Sequence, residues 1–160
     1  MMRFGLLLSI ITISFMADGA SAADRVRMRV DSAKGSYEFA VSDEGRVRIT
    51  CVTGCRVPVN YEEDGGAIAL GIFRPANADN LVFVTWASGS ANQITAYVLD
   101  GIKTRRVFAE SSLGTPDVIG SDRQSIMVRA YQYETQRTRK IVRRSWRWNM
   151  VKQIFIRISG

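Results

Sequence analysis

The residues that most enzymes use for chemistry near neutral pH are poorly represented, because none of the 160 residues is a histidine. Without histidine, the Ser-His-Asp and Cys-His arrangements of nucleophilic catalysis cannot be built in their usual forms. The same lack removes most zinc hydrolase sites and the side chain that most often serves as a general base. We therefore expect a protein that is not an enzyme and that uses neither a cofactor nor a metal ion.

Carboxylates offer the remaining route to catalysis, and three of them are adjacent at Glu62, Glu63 and Asp64. A glycosidase needs two carboxyl groups at a defined separation across a cleft. Neighbours on a strand point to opposite faces, and these acids precede Gly65 and Gly66, so we predict a solvated turn here. A carboxylate-dependent glycan hydrolase or lyase is the enzymatic alternative. It requires two of the following residues to face one cleft: Glu38, Glu62, Glu63, Glu110 and Glu134.

The two cysteines, Cys51 and Cys55, lie in the short segment Cys-Val-Thr-Gly-Cys. Two close cysteines usually pair in an oxidising compartment, and we predict a structural disulfide. The closed loop is small, so the expected stabilisation is about 2 kcal/mol. A zinc site would need further ligands that the chain lacks, and a c-type haem would need the sequence Cys-x-x-Cys-His.

The C-terminal third combines positive charge with aromatic side chains. From Arg123 to Arg157 it contains ten lysines and arginines against a single acidic residue. Because side chains alternate along a strand, Trp146 and Trp148 are expected on one face, with Arg143 and Arg147 on the other. The same rule places Met127, Arg129, Tyr131 and Tyr133 together on one face of the preceding strand.

An arginine can bind phosphate, sulfate or carboxylate groups through two parallel hydrogen bonds, and aromatic rings stack on sugars or apolar groups. A basic and aromatic sheet surface would therefore suit an anionic ligand. In the alternative, Trp146 and Trp148 are core residues, and the arginines only keep an exposed sheet face soluble and guard its edges. The candidate ligand-binding residues are Arg129, Tyr131, Tyr133, Arg143 and Arg147.

These side chains would be positioned by strands. After residue 22, short segments rich in Val, Ile, Thr and aromatic residues are separated by Gly, Asp, Asn and Ser, without helical spacing of apolar residues. The pattern predicts an all-β fold of about ten to twelve short antiparallel strands, arranged as a sandwich, a barrel or a partial propeller-like meander. The most apolar segments, Ala67–Phe73 and Leu81–Ala87, are expected to be central strands, and Pro58 indicates an edge strand.

A faint internal repeat favours the propeller-like option. Leu81–Thr85 followed by Tyr97–Gly101 resembles Ser125–Arg129 followed by Trp146–Met150. The spacing fits a four-stranded unit of the size of a propeller blade. Any meander of hairpins would also resemble itself, and a closed ring needs about four to eight blades.

The loop that leads into Leu81–Thr85 has the sequence Pro75-Ala-Asn77-Ala-Asp79-Asn80. It resembles the calcium loop of FG-GAP (integrin-type) propeller repeats, in which Asp-x-Asn-x-Asp-Gly leads into an apolar strand. Asn77 and Asp79 match two oxygen-donor positions, but Pro75 replaces the first Asp and Asn80 replaces the Gly. Because calcium favours six or more oxygen ligands, we do not expect the ion here.

Residues 1–22 have the pattern of a cleavable signal peptide: Arg3, the apolar segment Phe4–Phe15 and the small-residue exit Ala20-Ser21-Ala22. The apolar segment is shorter than the roughly 20 residues of a membrane span. The alternative is an uncleaved anchor or a buried helix. We expect a signal-peptide helix, then a single antiparallel β domain at residues 23–160, secreted or periplasmic and without a transmembrane span after cleavage.

The formal net charge of +7 favours anionic ligands. Phospholipid headgroups, lipopolysaccharide phosphates and acidic polysaccharides are candidates, and export makes nucleic acid the least available of the anionic partners. We therefore expect a non-catalytic binding or accessory module whose ligand is an anionic envelope component or an envelope protein. The alternative is a structural or assembly subunit of an envelope complex, which would pair with a partner through the strand edge near Pro58 or through Val151–Ile158.

Overall fold

The computed structural model describes residues 24–65, 68–76, 78, 80–120, 126–135 and 137–158. The predicted signal peptide lies outside these residues, as do Asn77 and Asp79 of the loop that resembles a calcium site. In the described part of the chain, no helix has the length and apolar character needed to cross a membrane.

Twelve strands are present in the described residues, as the alternation of apolar side chains predicted, and the all-β class is confirmed. The strands are β1 Asp24–Ser32, β2 Gly35–Ser42, β3 Arg46–Thr53, β4 Asn60–Asp64, β5 Ile68–Phe73, β6 Leu81–Ser88, β7 Ala91–Leu99, β8 Thr104–Ser112, β9 Asp117–Gly120, β10 Ile126–Tyr133, β11 Ile141–Asn149 and β12 Ile154–Ile158.

The strands form three sheets of four strands, and in each sheet the strands follow one another in chain order. The first sheet contains β1–β4, the second β5–β8 and the third β9–β12, and all neighbouring strands are antiparallel. Within the described ranges none of the three sheets closes into a barrel, so the barrel alternative is wrong.

Two hydrophobic cores join the three sheets in the order first, second, third. One core packs Tyr37, Phe39 and Ile49 of the first sheet against the second sheet. The other core packs the second sheet against Val128, Trp146 and other side chains of the third. Because successive side chains of a strand point to opposite faces, the second sheet contributes alternate residues to the two cores. In β6 these are Val82, Val84 and Trp86 in one core, and Leu81 and Phe83 in the other.

Two predictions about individual segments are wrong. Ala67–Phe73 was expected to be central, but β5 is an edge strand of the second sheet. This edge strand is rich in apolar residues because it covers the core and also contacts β1. Glu62–Asp64 was expected to be a solvated turn, but these residues belong to β4. The pairing of β4 with β3 places Glu63 toward the second sheet, where its carboxylate finds Arg106 of β8.

The disulfide between Cys51 and Cys55 is present, as the spacing predicted. It closes the connection that leaves β3, and this connection contacts the turn between β7 and β8. There the backbone N–H of Arg56 donates to the carbonyl oxygen of Gly101 over 2.9 Å. Gly101 has a φ of 83°, and a Cβ at this position would lie 2.7 Å from the carbonyl oxygen of Lys34, so glycine is required for the close approach.

The internal repeat relates equivalent strands of two sheets. Leu81–Thr85 lies in β6 and Ile126–Arg129 in β10, which are the second strands of their sheets. Tyr97–Gly101 and Trp146–Met150 likewise cover the ends of the third strands and the turns that follow.

Candidate functional site

The third sheet has one buried face and one outward face, set by simple alternation. In β10, Ile126, Val128 and Ala130 are buried against the second sheet. In β11, Trp146 and Trp148 are buried in the same core, with Trp146 edge-to-face against Phe108 of β8. The prediction that the two tryptophans share a face opposite the neighbouring arginines is confirmed.

All five candidate residues lie on the outward face. The pairing of β10 with β11 sets Tyr131 directly opposite Arg143, Arg129 opposite Ser145, and Tyr133 opposite Ile141. Arg147 lies opposite Met127 in the same ladder. Side chains opposite each other on one face of a sheet are close neighbours. The structure therefore gathers three arginines and two tyrosines that sequence alternation could assign only strand by strand. We call this set the Arg/Tyr face.

The edge strands of the sheet add apolar residues to the Arg/Tyr face. Ile156 of β12 lies opposite Arg147, and Ile158 lies opposite Ser145. Ile119 of β9 lies opposite Met127 on the other side. These isoleucines were not among the predicted site residues, although the alternation of Ile154, Ile156 and Ile158 in β12 indicates a common face.

Acidic side chains are scarce on the Arg/Tyr face. In the described strands of this sheet, Asp117 is the one acid that points outward, and it lies opposite Arg129 in the pairing of β9 with β10. Its carboxylate accepts a hydrogen bond from the Tyr131 hydroxyl over 3.5 Å. Among the described residues, no carboxylate comes within ion-pair distance of Arg129, Arg143 or Arg147. The Nε atom of Arg129 is buried without a hydrogen-bond partner among those residues.

The outward face of the first sheet shows the opposite arrangement. There Asp24 accepts hydrogen bonds from Arg27 over 2.5 Å and from Arg48 over 2.9 Å. The hydrogen bond from Arg27 is the main reason that the pKa of Asp24 is lowered. Arg27 also pairs with Glu38, and Arg29 pairs with Asp31. Arg27, Arg29 and Arg48 of the first sheet thus have carboxylate partners, in contrast to the three arginines of the Arg/Tyr face.

Two open depressions border the Arg/Tyr face. Arg147 lines one of about 340 Å³ together with Asn149, Ile156 and Ile158. Tyr131 and Tyr133 line another of about 210 Å³, with Leu113 and Ser111 among its other walls. An extended ligand could therefore contact the cationic rows and insert an apolar or planar group at either end.

Of the five glutamates considered for catalysis, Glu38 and Glu62 share the outward face of the first sheet, and the other three lie elsewhere. Glu38 pairs with Arg27 on the first sheet, and Glu134 pairs with Lys140 at a hairpin tip. Glu110 accepts a hydrogen bond from Gln132 over 3.0 Å. Glu62 and Arg48 are opposite each other in the pairing of β4 with β3.

Glu63 is half-buried, with 17 % of its side chain exposed. The hydroxyl of Tyr61 donates to Glu63, which also pairs with Arg106 and so links the first sheet to the second. Burial and the contact with Glu63 raise the pKa of Tyr61. Sequence reasoning missed this role, because a run of acids before two glycines is typical of an exposed turn.

The remaining test of the site is comparison with known metal sites and known proteins. In the described residues, no group of three or more His, Cys, Asp or Glu side chains is placed to hold a metal ion. No protein-family model matches the chain, and no curated protein or solved structure matches it either.

Proposed function

We propose that the chain is an exported, non-catalytic binding module whose ligand is an anionic component of the cell envelope, such as lipopolysaccharide phosphates or an acidic polysaccharide. The observation that carries the proposal is the Arg/Tyr face, where three arginines without ion-pair partners in the described residues lie beside two tyrosines. Paired rows of this kind suit a polymer or glycolipid that repeats negative charge along its length.

The chemistry of binding follows from the row that joins Tyr131 and Arg143. A guanidinium can hold a phosphate or carboxylate through two hydrogen bonds, and the neighbouring ring can pack on the apolar face of a sugar. Arg129 lies opposite Ser145, and Arg147 follows Ser145 on the same face of β11, so both extend the positive charge along the sheet. Because an exposed ion pair is weak, such a surface needs several contacts at once and releases its ligand as salt rises.

The proposal includes a finer description of the architecture. We infer a partial propeller-like stack, not a two-sheet sandwich, because each sheet is a consecutive four-stranded meander and the second sheet is covered on both faces. In such a stack the outward face of the last sheet has no neighbouring sheet from the described residues. That leaves it accessible to a ligand.

The test is the salt concentration at which the protein elutes from heparin and from immobilised lipopolysaccharide. The Arg143→Gln/Arg147→Gln variant should elute at clearly lower salt than the wild type. The matched control is Arg137→Gln/Arg139→Gln, which removes the same charge from the exposed hairpin between β10 and β11. If both variants shift the eluting salt concentration equally, retention depends only on net charge and not on the Arg/Tyr face. A wild type that is not retained at low ionic strength would refute the proposal.

Assembly through a strand edge is the second candidate function, and the position of β12 favours it. Among the described strands, β12 pairs only with β11, and it carries the exposed isoleucines Ile154 and Ile156. A partner strand could add to this edge through main-chain hydrogen bonds. The candidate requires self-association or capture of a partner strand. A protein that elutes as a monomer at all concentrations would count against it.

A further inference from the structure

The turns between the third and fourth strands of all three sheets meet at one end of the stack. Arg56, in the connection from β3 to β4, donates its N–H to Gly101 in the turn from β7 to β8. Arg105, just after that turn, donates from its guanidinium to Gln153 in the turn from β11 to β12, over 3.2 Å to the carbonyl oxygen. These contacts bring the three connections side by side.

Two of these turns are built in the same way. In the second sheet, a carboxylate oxygen of Asp100 accepts hydrogen bonds from the backbone N–H groups of Ile102 and Lys103. In the third sheet, the side-chain oxygen of Asn149 accepts a hydrogen bond from the N–H of Lys152 over 2.9 Å. Asp and Asn commonly cap turns in this manner. Ile102 and Lys103 therefore stand at the same positions after Asp100 as Val151 and Lys152 do after Asn149.

Each of the three turns exposes a β-branched apolar side chain next to a cation. Val57 is 41 % exposed, Ile102 53 % and Val151 96 %. Their neighbours in sequence are the exposed cations Arg56, Lys103 and Lys152. Turn residues are normally polar, and apolar side chains exposed together in one region mark a surface that contacts something else. The same combination in three successive sheets makes chance exposure a poor explanation.

We propose that this end of the stack docks on an anionic lipid surface. Val57, Ile102 and Val151 would enter the boundary between headgroups and acyl chains, and Arg56, Lys103 and Lys152 would contact lipid phosphates. Binding at a membrane–water interface combines burial of apolar side chains with attraction of cations to lipid phosphates. Apolar residues flanked by cations suit it, because the acyl chains and the phosphates lie at adjacent depths of the bilayer. Asp100 is the acid of the β7–β8 turn, and its carboxylate accepts hydrogen bonds from the N–H groups of Ile102 and Lys103 in that turn.

A lipid surface fits these residues better than a polysaccharide or a protein groove. The apolar side chains stand at the tips of separate turns, where a broad and deformable surface can receive all three. A hydrophilic polysaccharide would gain little from Val57, Ile102 and Val151. The surface also shares no residue with the Arg/Tyr face, so the inference stands independently of the proposed function.

The experiment is co-sedimentation of the purified protein with vesicles made of equal parts of phosphatidylcholine and phosphatidylglycerol, and with vesicles of phosphatidylcholine alone. We expect binding to the anionic vesicles and much weaker binding to the neutral ones. The Ile102→Ser/Val151→Ser variant should lower the partition coefficient about tenfold. The matched control Ile68→Ser/Leu70→Ser removes two other exposed apolar side chains, at 49 % and 56 % exposure, from β5 and should bind like the wild type.

The variants also separate this surface from the Arg/Tyr face. Ile102→Ser/Val151→Ser should keep the wild-type elution from heparin, and a wild-type far-ultraviolet circular dichroism spectrum reports that the variant is folded. Lys103→Gln/Lys152→Gln should weaken vesicle binding at low salt. The proposal is overturned if the wild type does not bind anionic vesicles, if the two serine variants lose binding equally, or if only Arg143→Gln/Arg147→Gln abolishes it.

Discussion

The backbone N–H of Gly101 donates a hydrogen bond to the hydroxyl of Tyr37 over 2.7 Å. Tyr37 lies in β2 and is fully buried, and Gly101 lies in the turn between β7 and β8, so the bond joins the first sheet to the second inside the protein. Burial raises the pKa of Tyr37, which keeps the hydroxyl neutral. A buried backbone N–H must find an acceptor, and here the acceptor comes from a side chain distant in sequence.

Replacing this tyrosine tests how much the first two sheets depend on the contact. Tyr37→Phe leaves the Gly101 N–H buried without its acceptor, so we expect the free energy of unfolding to fall by about 1–3 kcal/mol. Urea denaturation measures the change. The control is Tyr133→Phe, since Tyr133 is exposed, and its effect should stay within about 0.5 kcal/mol. If the two variants are equally stable, water replaces the hydroxyl and the bond is not a structural requirement.

A second contact between sheets depends on the absence of a side chain. A Cβ added to Gly65 would lie 2.5 Å from the indole of Trp86, which is fully buried, and 2.8 Å from the carbonyl oxygen of Gly45. Gly65→Ala would therefore force the tryptophan or the backbone to move, and we expect a loss of about 1–3 kcal/mol of stability.

The matched control for this substitution is Gly71→Ala in β5. A Cβ at Gly71 would meet nothing closer than the Thr85 hydroxyl at 3.8 Å, so this variant should be as stable as the wild type or slightly more stable. Thermal unfolding of the two variants under the same conditions gives the comparison. A Gly65→Ala protein that melts with the control would mean that the Trp86 side chain has room to shift.

Local sequence pattern predicted most of the strands because alternation is a property of neighbouring residues. Leu81–Val84 shows a second local pattern, an unbroken apolar run, which suits a strand covered on both faces. The order of the strands was less accessible. Nothing in the composition of Ile68–Phe73 distinguishes an apolar edge strand from a central one, because both cover the core.

For the candidate site, the sequence could predict which residues share a face within one strand, but not that the faces of two strands form one surface. Alternation assigned Arg129, Tyr131 and Tyr133 to one face of β10, and Arg143 and Arg147 to one face of β11. That these two faces coincide is set by the register of the pairing, which depends on the core packing of Trp146 and on the hairpin length. The prediction of a solvated turn around Glu63 was wrong for a related reason. Its partner Arg106 is remote in sequence, and only the stacking of two sheets brings the two side chains together.

Alkaline pH should destabilise the protein through tyrosines between the first and second sheets, chiefly the buried Tyr97 and the half-buried Tyr61. Burial raises the pKa of Tyr97 to about 12 and, together with Glu63, raises the pKa of Tyr61. In the unfolded chain a tyrosine loses its proton at about pH 10. The folded protein therefore retains protons that the unfolded chain releases, so the stabilising contribution is complete below pH 10 and is lost as the pH rises toward the folded pKa values.

The expected result is a free energy of unfolding that declines above about pH 10, with each of these tyrosines contributing a slope of about 1.4 kcal/mol per pH unit. Urea denaturation between about pH 8 and about pH 11 measures it, and ultraviolet absorption of tyrosinate reports the ionisation directly. Tyr97→Phe should reduce the slope of the free energy of unfolding against pH by the contribution of one tyrosine. Tyr133→Phe should leave that slope unchanged, because the Tyr133 side chain is exposed. Equal slopes in the wild type and in Tyr97→Phe would show that Tyr97 ionises as readily in the folded protein as in the unfolded chain, which would contradict its burial between the sheets.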